Sequence, residues 1–281
     1  MTLRAEAFAK TNFRLEVIGR RRDGFHEIDT IFQTIDLTDG IEVSGAPEAV
    51  TLECSDPAIP SDARNLVVRA AEILRSEFGI RSGARIRLEK RIPAGAGLGG
   101  GSSDAAITLI LLSRLWKADA DLPALAALGA TIGSDVPFFF TGGTARGRGR
   151  GEIVEPLADA PSRALVVLVP PFPISTAEVY SRWRPGTPAT PPGSVFGINS
   201  LASTVLAMNP EMDRYRKALA RWYPDCQISG SGSSLVAWAG EGNAGAANEL
   251  AAEVPGARVL RTRTVSRSEY QRRSTLQLSG R

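Results

Sequence analysis

Cysteine and histidine are scarce in this sequence, and their scarcity limits the kinds of site that the chain can build. Only two of the 281 residues are cysteines, Cys54 and Cys226, and a single histidine, His26, is present. Two cysteines so far apart match neither a metal-ligand spacing nor a disulfide framework. Cysteine-based metal centres and disulfide-stabilised secreted folds are therefore excluded, and a reducing compartment is favoured.

Long apolar runs and an excess of one charge are also missing. No 18-residue apolar run occurs, and the first twenty residues carry charges where a signal peptide would have an apolar segment. The 33 basic and 30 acidic residues leave a net charge of +3, which does not indicate nucleic acid as a partner. We therefore expect a cytoplasmic protein with no membrane or nucleic-acid partner. A hydrophobic fraction of 43% over 281 residues is enough for about two domains.

Glycine is abundant, and one glycine-rich stretch organises the chain. Residues 93–106 read PAGAGLGGGSSDAA and run into an apolar segment at 105–116. This segment predicts a buried helix, capped by Ser102 or Ser103. Glycines let a backbone approach a ligand closely, and a helix N-terminus presents N–H groups with a partial positive charge. We expect a phosphate to bind here, and a side chain at Gly100 to occupy its place.

Two other phosphate motifs fit this stretch less well. A Walker A loop is excluded because no Lys-Ser or Lys-Thr follows the glycines. Gly95, Gly97 and Gly100 satisfy the Rossmann spacing, but residues 85–92 alternate charged and apolar side chains, which predicts a strand with one wet face. A Rossmann first strand is buried on both faces, and the predicted second helix at 121–131 stands where that fold needs a strand. A flexible linker is excluded because a strand and a helix abut the glycines directly.

Two further segments hold single polar residues of interest. Residues 4–18 predict a strand that places Lys10 and Asn12 on one face, although a lone strand lysine is most often a solvated edge charge. Residues 132–140 set Asp135 among apolar side chains. Unpaired burial would raise the pKa of Asp135 and cost free energy, so this carboxylate is either paired or functional.

The remaining pattern is mixed helix and strand. Residues 65–78 predict a helix that Asn65 caps, and alternate arginines at 146, 148 and 150 indicate either a solvated turn or an arginine-lined strand. A domain boundary is expected at 157–163. Beyond it we predict strands at 164–169 and 257–264, helices at 176–183 and 211–223, a glycine turn within 227–238, a solvent-facing Pro-rich loop at 185–193 and a frayed tail at 266–281.

Together these segments resemble the GHMP kinases, the superfamily of galactokinase, homoserine kinase and the mevalonate kinases. Residues 93–106 match its second motif, P-x-x-x-G-L-x-x-G-S-S-x-A-A, and residues 227–238 are similar to its third. The A-K-T-N at 9–12 followed by G-R-R-R-D-G-F-H at 19–26 resembles the branch that phosphorylates 4-diphosphocytidyl-2-C-methyl-D-erythritol. That branch usually has Ile at position 11 and Tyr at position 25, where this chain has Thr11 and Phe25. Phe25 keeps an aromatic ring but loses a hydroxyl.

The resemblance implies an α+β, two-domain GHMP kinase fold. Residues 1–157 would form a ribosomal S5 domain 2-like domain and residues 158–281 a ferredoxin-like domain, with the active site between them. The implied reaction is ATP-dependent phosphorylation of the substrate's 2-hydroxyl, with Mg²⁺ accompanying ATP and its protein ligands unknown. Another GHMP small-molecule kinase is the alternative, and the oligomeric state, monomer or homodimer, is left open.

The resemblance also assigns residues. Lys10 and Asp135 would be catalytic, and Asn12, Phe25 and His26 would bind the cytidyl substrate. The residues assigned to ATP are Asn65, Pro93, Ala94, Gly95, Ala96, Gly97, Leu98, Gly99, Gly100, Gly101, Ser102 and Ser103. A non-catalytic nucleotide-binding module would lack Lys10 or Asp135. An S5-like nucleic-acid binder would carry a marked basic excess, which is not present.

Overall fold

A computed structural model describes residues 1–186, 196–240 and 245–274. The predicted loop at 185–193, from residue 187 onward, and the tail beyond residue 274 lie outside the described residues. The strands are β1 (Thr2–Arg20), β2 (His26–Ala46), β3 (Val50–Cys54), β4 (Gly83–Glu89), β5 (Thr144–Gly149), β6 (Ile153–Pro156), β7 (Ala164–Val169), β8 (Cys226–Ile228), β9 (Leu235–Trp238) and β10 (Arg258–Arg263). The helices are α1 (Leu66–Glu77), α2 (Gly100–Trp116), α3 (Leu122–Ile132), α4 (Thr176–Arg182), α5 (Ala202–Met208), α6 (Glu211–Trp222), α7 (Ala246–Glu253) and α8 (Arg267–Arg273), with a 3₁₀ helix at Val136–Phe140.

The first sheet is built around the long antiparallel hairpin of β1 and β2. β2 pairs with β1 along most of its length, and it also pairs with β5 near its start and with β4 near its end. β3 joins β4 in parallel, and β6 joins β5. Helices α1, α2 and α3 pack with this sheet over an apolar core. The strand predicted at 4–18 is confirmed, and its register shift after Asn12 is a local irregularity beside the site.

The helix after the glycines is confirmed as buried, but its cap is not the predicted one. α2 begins at Gly100, and Gly99 is its N-cap in a left-handed conformation with a φ of 70° and no side-chain hydrogen bond. Ser102 and Ser103 lie inside the first turn, where the Ser103 N–H already bonds the Gly99 carbonyl at 2.9 Å. The prediction that one of these serines caps the helix is therefore wrong. Asn65 does cap α1, since its Oδ1 accepts from the Val67 N–H at 2.9 Å.

The second sheet has the strand order β10-β7-β9-β8 and packs with α4 to α7 around a second apolar core, to which β1 and β2 add Leu15, Val17 and Ile28. A further apolar cluster joins the two sheets, with Ala9 and Ile35 from the first and Leu165 and Val167 from the second. The strands of the first sheet all precede residue 157, and those of the second all follow residue 163. This accords with the predicted boundary, which stays a prediction.

The chain returns to the first sheet at its end, contrary to expectation. Residues 266–274 were expected to fray, yet they form and flank α8, and Tyr270 is fully buried. The Tyr270 hydroxyl donates to the Phe139 carbonyl, and the Arg273 guanidinium pairs with Glu6 and Asp36. The polar composition of this segment predicted fraying. The segment nevertheless contains one aromatic side chain that packs in the core and cations that pair with acidic residues on β1 and β2. Among the described helices, none combines the length and apolarity that a membrane crossing requires.

Candidate active site

A cleft of about 1260 Å³ opens between the two halves of the fold. Its lining combines β1, the turn after it, the glycine loop and the two residues before the 3₁₀ helix with residues of α4 and the glycine turn at 229–234. The cleft therefore gathers the sequence motifs that lie far apart in the chain. Its volume exceeds that of a site for one small ligand, which is typically about 300–1,000 Å³.

Lys10 is held at the floor of this cleft. Its side chain is only 5% exposed, and its Nζ lies 3.1 Å from Asp135 Oδ2 and donates to Asn12 Oδ1 at 2.8 Å. The ammonium also lies 5.4 Å from the centroid of the Phe32 ring. The Asn12 amide is fixed in turn, because its Nδ2 donates to Thr30 Oγ1 at 2.7 Å. A buried ammonium with these partners has a single orientation, which points at Asp135.

Asp135 is the more accessible member of the pair. It precedes the 3₁₀ helix Val136–Phe140, and its side chain is 32% exposed toward the cleft. The carboxylate makes no capping bond to that helix. Asp135 is therefore paired with Lys10 and still reachable by a ligand, which confirms the expected pairing.

The glycine loop needs its glycines mainly for contacts with the protein. Gly97 and Gly99 have φ values of 75° and 70°, and a Cβ on Gly97 would lie 2.5 Å from the Ser229 carbonyl oxygen. A Cβ on Gly99 would lie 2.8 Å from Cγ of Lys10. At Gly100 the added atom would meet Ile92 Cγ2 at 2.9 Å, so a side chain there would also disturb the protein, and its effect on a phosphate stays a prediction.

The loop nevertheless presents a helix N-terminus to the cleft. Residues 93–102 line it, and the first N–H groups of α2 precede its first backbone bond. Ser103, the last residue assigned to ATP, is instead fully buried and lies outside the lining. Asn65 lines the cleft, although its amide already caps α1 and donates to the Pro60 carbonyl at 2.8 Å.

Aromatic side chains form the other end of the cleft. Phe25 is 51% exposed, and the His26 ring lies 5.3 Å from Tyr180 and 5.7 Å from Trp183, centroid to centroid. Burial lowers the pKa of His26, and the nearby Arg20 lowers it further, so the neutral imidazole can both donate and accept. The pKa of Tyr180 is raised by burial and by the negative charge of Asp135. Tyr180 and Trp183 were not predicted as site residues, because only the fold brings α4 to the hairpin.

A buried charge cluster beneath the glycine loop was also missed. Lys90 Nζ pairs with Asp39 and, at 2.8 Å, with Asp104 Oδ2, and both carboxylates are essentially inaccessible. Asp39 also accepts from the Ile92 N–H at 2.9 Å. Burial raises the pKa of Asp104 to about 8, against the opposing effect of Lys90. The sequence offers one signal for this cluster, the charged residues before the glycine loop. That signal does not identify which carboxylates pair with Lys90.

The glycine turn of the third motif packs against β1, the strand that carries Lys10. A Cβ on Gly230 would lie 3.0 Å from Asn12 Oδ1, and the turn is held by the Asn199 amide, which donates to the Ile228 and Gly230 carbonyls at 2.8 and 2.9 Å. Thr11, the departure from the family pattern, shares a hydrogen bond of 3.0 Å with Ser229. The departure thus has a partner in this chain. Gly230 and Ser231 also line the cleft.

Within the described ranges, no group of three or more His, Cys, Asp or Glu side chains is placed to hold an ion. Asp135 and Asp104 are each paired with a lysine. Among the described residues, the predicted Mg²⁺ therefore has no dedicated set of protein ligands.

Comparisons with known proteins identify the family of the chain. Residues 65–143 match the family model described as the GHMP kinases N terminal domain. The chain is 46% identical over 187 residues to a 4-diphosphocytidyl-2-C-methyl-D-erythritol kinase of Pelotomaculum thermopropionicum, covering 66% of this chain and 65% of that protein. It is 39% identical over 252 residues to the Bacillus mycoides enzyme of the same name, covering 84% of this chain and 87% of that one. The chain thus spans just under two thirds of the first relative and most of the second.

Solved structures show the same fold. A crystal structure of 4-(cytidine 5'-diphospho)-2C-methyl-D-erythritol kinase superposes with a TM-score of 0.78 at 36% identity, covering 93% of this chain and 99% of that one. Homoserine kinase from Cytophaga hutchinsonii superposes with a TM-score of 0.69 at 15% identity, covering 93% and 94%. The second likeness concerns the fold alone. The predicted α+β, two-domain class is confirmed.

Proposed function

Because the chain belongs to the 4-diphosphocytidyl-2-C-methyl-D-erythritol kinases, a branch of the GHMP kinases, we propose that it phosphorylates the 2-hydroxyl of 4-diphosphocytidyl-2-C-methyl-D-erythritol with ATP, a step of non-mevalonate isoprenoid biosynthesis. The single observation that carries this proposal is the Lys10–Asp135 pair, 3.1 Å apart in the cleft. It lies between a helix N-terminus suited to phosphate and an aromatic end suited to a base.

Asp135 is the group that takes the proton of the substrate hydroxyl. A general base must be accessible to the hydroxyl and held in a fixed place, and Asp135 meets both conditions through its cleft exposure and its bond to Lys10. Lys10 supplies positive charge beside the attacking oxygen, where negative charge develops. Asn12 orients the lysine through Oδ1 and lies close enough to the acceptor to contact the substrate.

ATP lies along the glycine loop, residues 93–103, with its phosphates at the N-terminus of α2. The unpaired N–H groups of the first turn and the helix dipole favour an anion there. Asn65 and its neighbours on α1 border the adenine, with the Asn65 amide held by Pro60 and Val67. Ser103 contributes through its backbone alone, because its side chain is buried.

The cytidine occupies the aromatic end. Phe25 offers an exposed ring for stacking, and neutral His26 can satisfy both a donor and an acceptor on the base. Tyr180 extends this surface from α4. A base stacked on an aromatic side chain gains about 1–3 kcal/mol, by analogy with nucleic-acid complexes.

The remaining expectations follow from this chemistry. Mg²⁺ bound together with the nucleotide would neutralise phosphate charge. Cys54 and Cys226 are free thiols, which suits the cytoplasm, where ATP is also available. The chain divides near residue 157 into an N-terminal domain, 1–157, and a C-terminal domain, 158–281, whose α8 packs back on the core of the first domain. The oligomeric state is open between monomer and homodimer.

The substrate is tested with ATP consumption against a panel of acceptors. We expect turnover with the cytidine diphosphate alcohol and none with mevalonate or homoserine. Preferred turnover of an acceptor without a cytidine would favour another GHMP small-molecule kinase and would overturn the proposal.

The residue roles are tested by single-turnover phosphorylation at saturating ATP and substrate. Asp135→Asn should bind both ligands and lose a factor of about 10² to 10⁴ in rate, and Lys10→Ala should lose a comparable factor. Asp119→Asn, an exposed carboxylate on the same domain, is the matched control and should be unchanged. An Asp135→Asn rate within about tenfold of wild type would mean that positioning and charge neutralisation carry the reaction and that Asp135 is not the base.

A further inference from the structure

Three alternate arginines lie on β5 and just after it, and their side chains have different partners. Arg146 forms a two-point hydrogen bond with Asp29, at 3.0 and 2.6 Å, and Arg148 lies 3.5 Å from Glu155. Both acidic partners are on strands that pair with β5, so these two arginines form ion pairs across the sheet. Arg150 stands beyond the end of the strand and lines the cleft.

The turn around Arg150 brings its backbone to the reaction centre. Gly149 and Gly151 have φ values of 72° and 112°, which bend the chain sharply on either side of the arginine. A Cβ on Gly151 would lie only 3.6 Å from Asp135 Oδ1. The backbone directly after Arg150 is therefore adjacent to Asp135, the carboxylate proposed to face the acceptor hydroxyl.

The guanidinium of Arg150 reaches the aromatic end. Its central carbon lies 4.8 Å from the centroid of the Phe25 ring, a cation–π contact. Its Nε is 3.5 Å from Glu152 Oε1, and that carboxylate also accepts from the Arg150 backbone N–H. The Arg150 side chain is 28% exposed, and besides the long contact with Glu152 its positive charge helps to lower the pKa of the exposed Asp23. Lys10 and Lys90, the cleft lysines, are buried against carboxylates at shorter distances.

The chemistry of the substrate places a diphosphate along this same path. Its cytosine would lie at Phe25 and its reacting hydroxyl at Asp135, and two negatively charged phosphates link these ends. The Arg150 guanidinium lies on Phe25, and the backbone that follows it adjoins Asp135, so the residue connects the two ends that the diphosphate would link. Planar guanidinium donors match pairs of phosphate oxygens, whereas an ammonium is a point charge.

We infer that Arg150 binds the diphosphate of the cytidyl substrate and holds the Phe25 ring in its stacking position. The inference rests on the proposed function, since it assigns the acceptor's diphosphate to this end of the cleft. It also explains how this chain positions Phe25, which has no hydroxyl for a hydrogen bond. The ring is held through its face by the cation instead.

The test compares Arg150→Met with Arg148→Met. Arg148 is the control because it lies on β5, two residues before Arg150, and its guanidinium faces Glu155. Arg150→Met should raise KM for the cytidine diphosphate alcohol by about tenfold to a hundredfold, because a charge-assisted hydrogen bond is lost. KM for ATP should stay within about twofold, and Arg148→Met should match wild type in both. Arg150→Lys should recover part of the loss, since it keeps the charge but not the planar donors.

A binding measurement separates a diphosphate role from a structural one. Calorimetric Kd values for CDP and for cytidine are measured with wild type, Arg150→Met and Arg150→Lys. The preference for CDP over cytidine should shrink in Arg150→Met by about the same factor as KM rises. An unchanged preference, or an equal loss in Arg148→Met, would overturn the inference. If wild type turned over no cytidyl substrate, the proposed function would fail, whereas normal turnover with unaffected Arg150 variants would remove only this inference.

Discussion

Tyr270 offers the sharpest test of the C-terminal segment, because the sequence predicted that this segment frays. The side chain has no exposed surface, its ring packs edge-on against Phe8 at 5.3 Å, and its hydroxyl donates to the Phe139 carbonyl. The Tyr270 ring also fills the space beside Gly142, where an added Cβ would lie 2.0 Å from Cδ1 of the ring. α8 is therefore anchored to the N-terminal core.

The two components of this anchor can be measured separately. Tyr270→Phe removes only the hydroxyl and leaves the buried Phe139 carbonyl without that donor, which should cost about 1–3 kcal/mol of unfolding free energy. Tyr270→Ala also removes the ring from a closely packed site, and by analogy with other aromatic truncations it should cost about 3–5 kcal/mol. Since Phe139 also borders Gly99, the Ala variant should weaken ATP binding as well.

The assay is urea denaturation followed by fluorescence and circular dichroism, with ATP titration on the folded variants. Arg272→Ala, an exposed residue of the same helix, is the control and should change the unfolding free energy by less than about 0.5 kcal/mol. If Tyr270→Ala were as stable as Arg272→Ala, the segment would contribute nothing to the core. The sequence-based expectation of a frayed tail would then be the better one.

Three further predictions concern the cleft. Gly99→Ala places a Cβ 2.8 Å from Lys10 Cγ at a positive φ, so denaturation should show a loss of about 1–3 kcal/mol and single-turnover rates should fall. Burial raises the pKa of Asp104 from 3.8 to about 8, so between those values the folded protein keeps a proton that the unfolded chain releases. The free energy of unfolding therefore falls as pH rises over this range, by at most about 1.4 kcal/mol per pH unit. The unfolding free energy of wild type should therefore fall more steeply from pH 6 to pH 8 than that of Asp104→Asn, and parallel curves would contradict the assignment. Asn199→Ala frees the Gly230 carbonyl and should cost about 1–3 kcal/mol, with a reduced kcat that Asn199→Asp does not restore.

Local patterns predicted the elements that position the site. Alternation over residues 4–18 placed Lys10 and Asn12 on one face of a strand, and the structure joins their side chains at 2.8 Å. The apolar run at 105–116 became the buried part of α2. Asp135 was expected to be paired or functional, because a carboxylate among apolar side chains needs a partner, and Lys10 is that partner. These inferences succeeded because backbone periodicity and the cost of buried charge are properties of short segments.

Contacts between distant segments could not be predicted in the same way. Lys90 meets Asp39 across an antiparallel pair and Asp104 across the glycine loop, and no periodicity links these three positions. Tyr180 reaches His26 only because the second sheet packs against the first. Both cases depend on register and packing between elements, which a single sequence leaves open.

The glycine motif shows why even a correctly located site can be misinterpreted. A glycine indicates that something approaches the backbone closely, but it does not say whether that is ligand or protein. At Gly97 the close neighbours are the carbonyl oxygens of Ser229 and Gly232, at 2.5 and 2.7 Å from the Cβ position, so the second and third motifs need glycine against each other. At Gly101, by contrast, the same position has only Leu66 Cδ1 at 3.7 Å, which is ordinary contact. Gly101→Ala should therefore fold normally and report on the ligand alone, which Gly100→Val cannot do because its side chain would enter the space of Ile92 and Lys90.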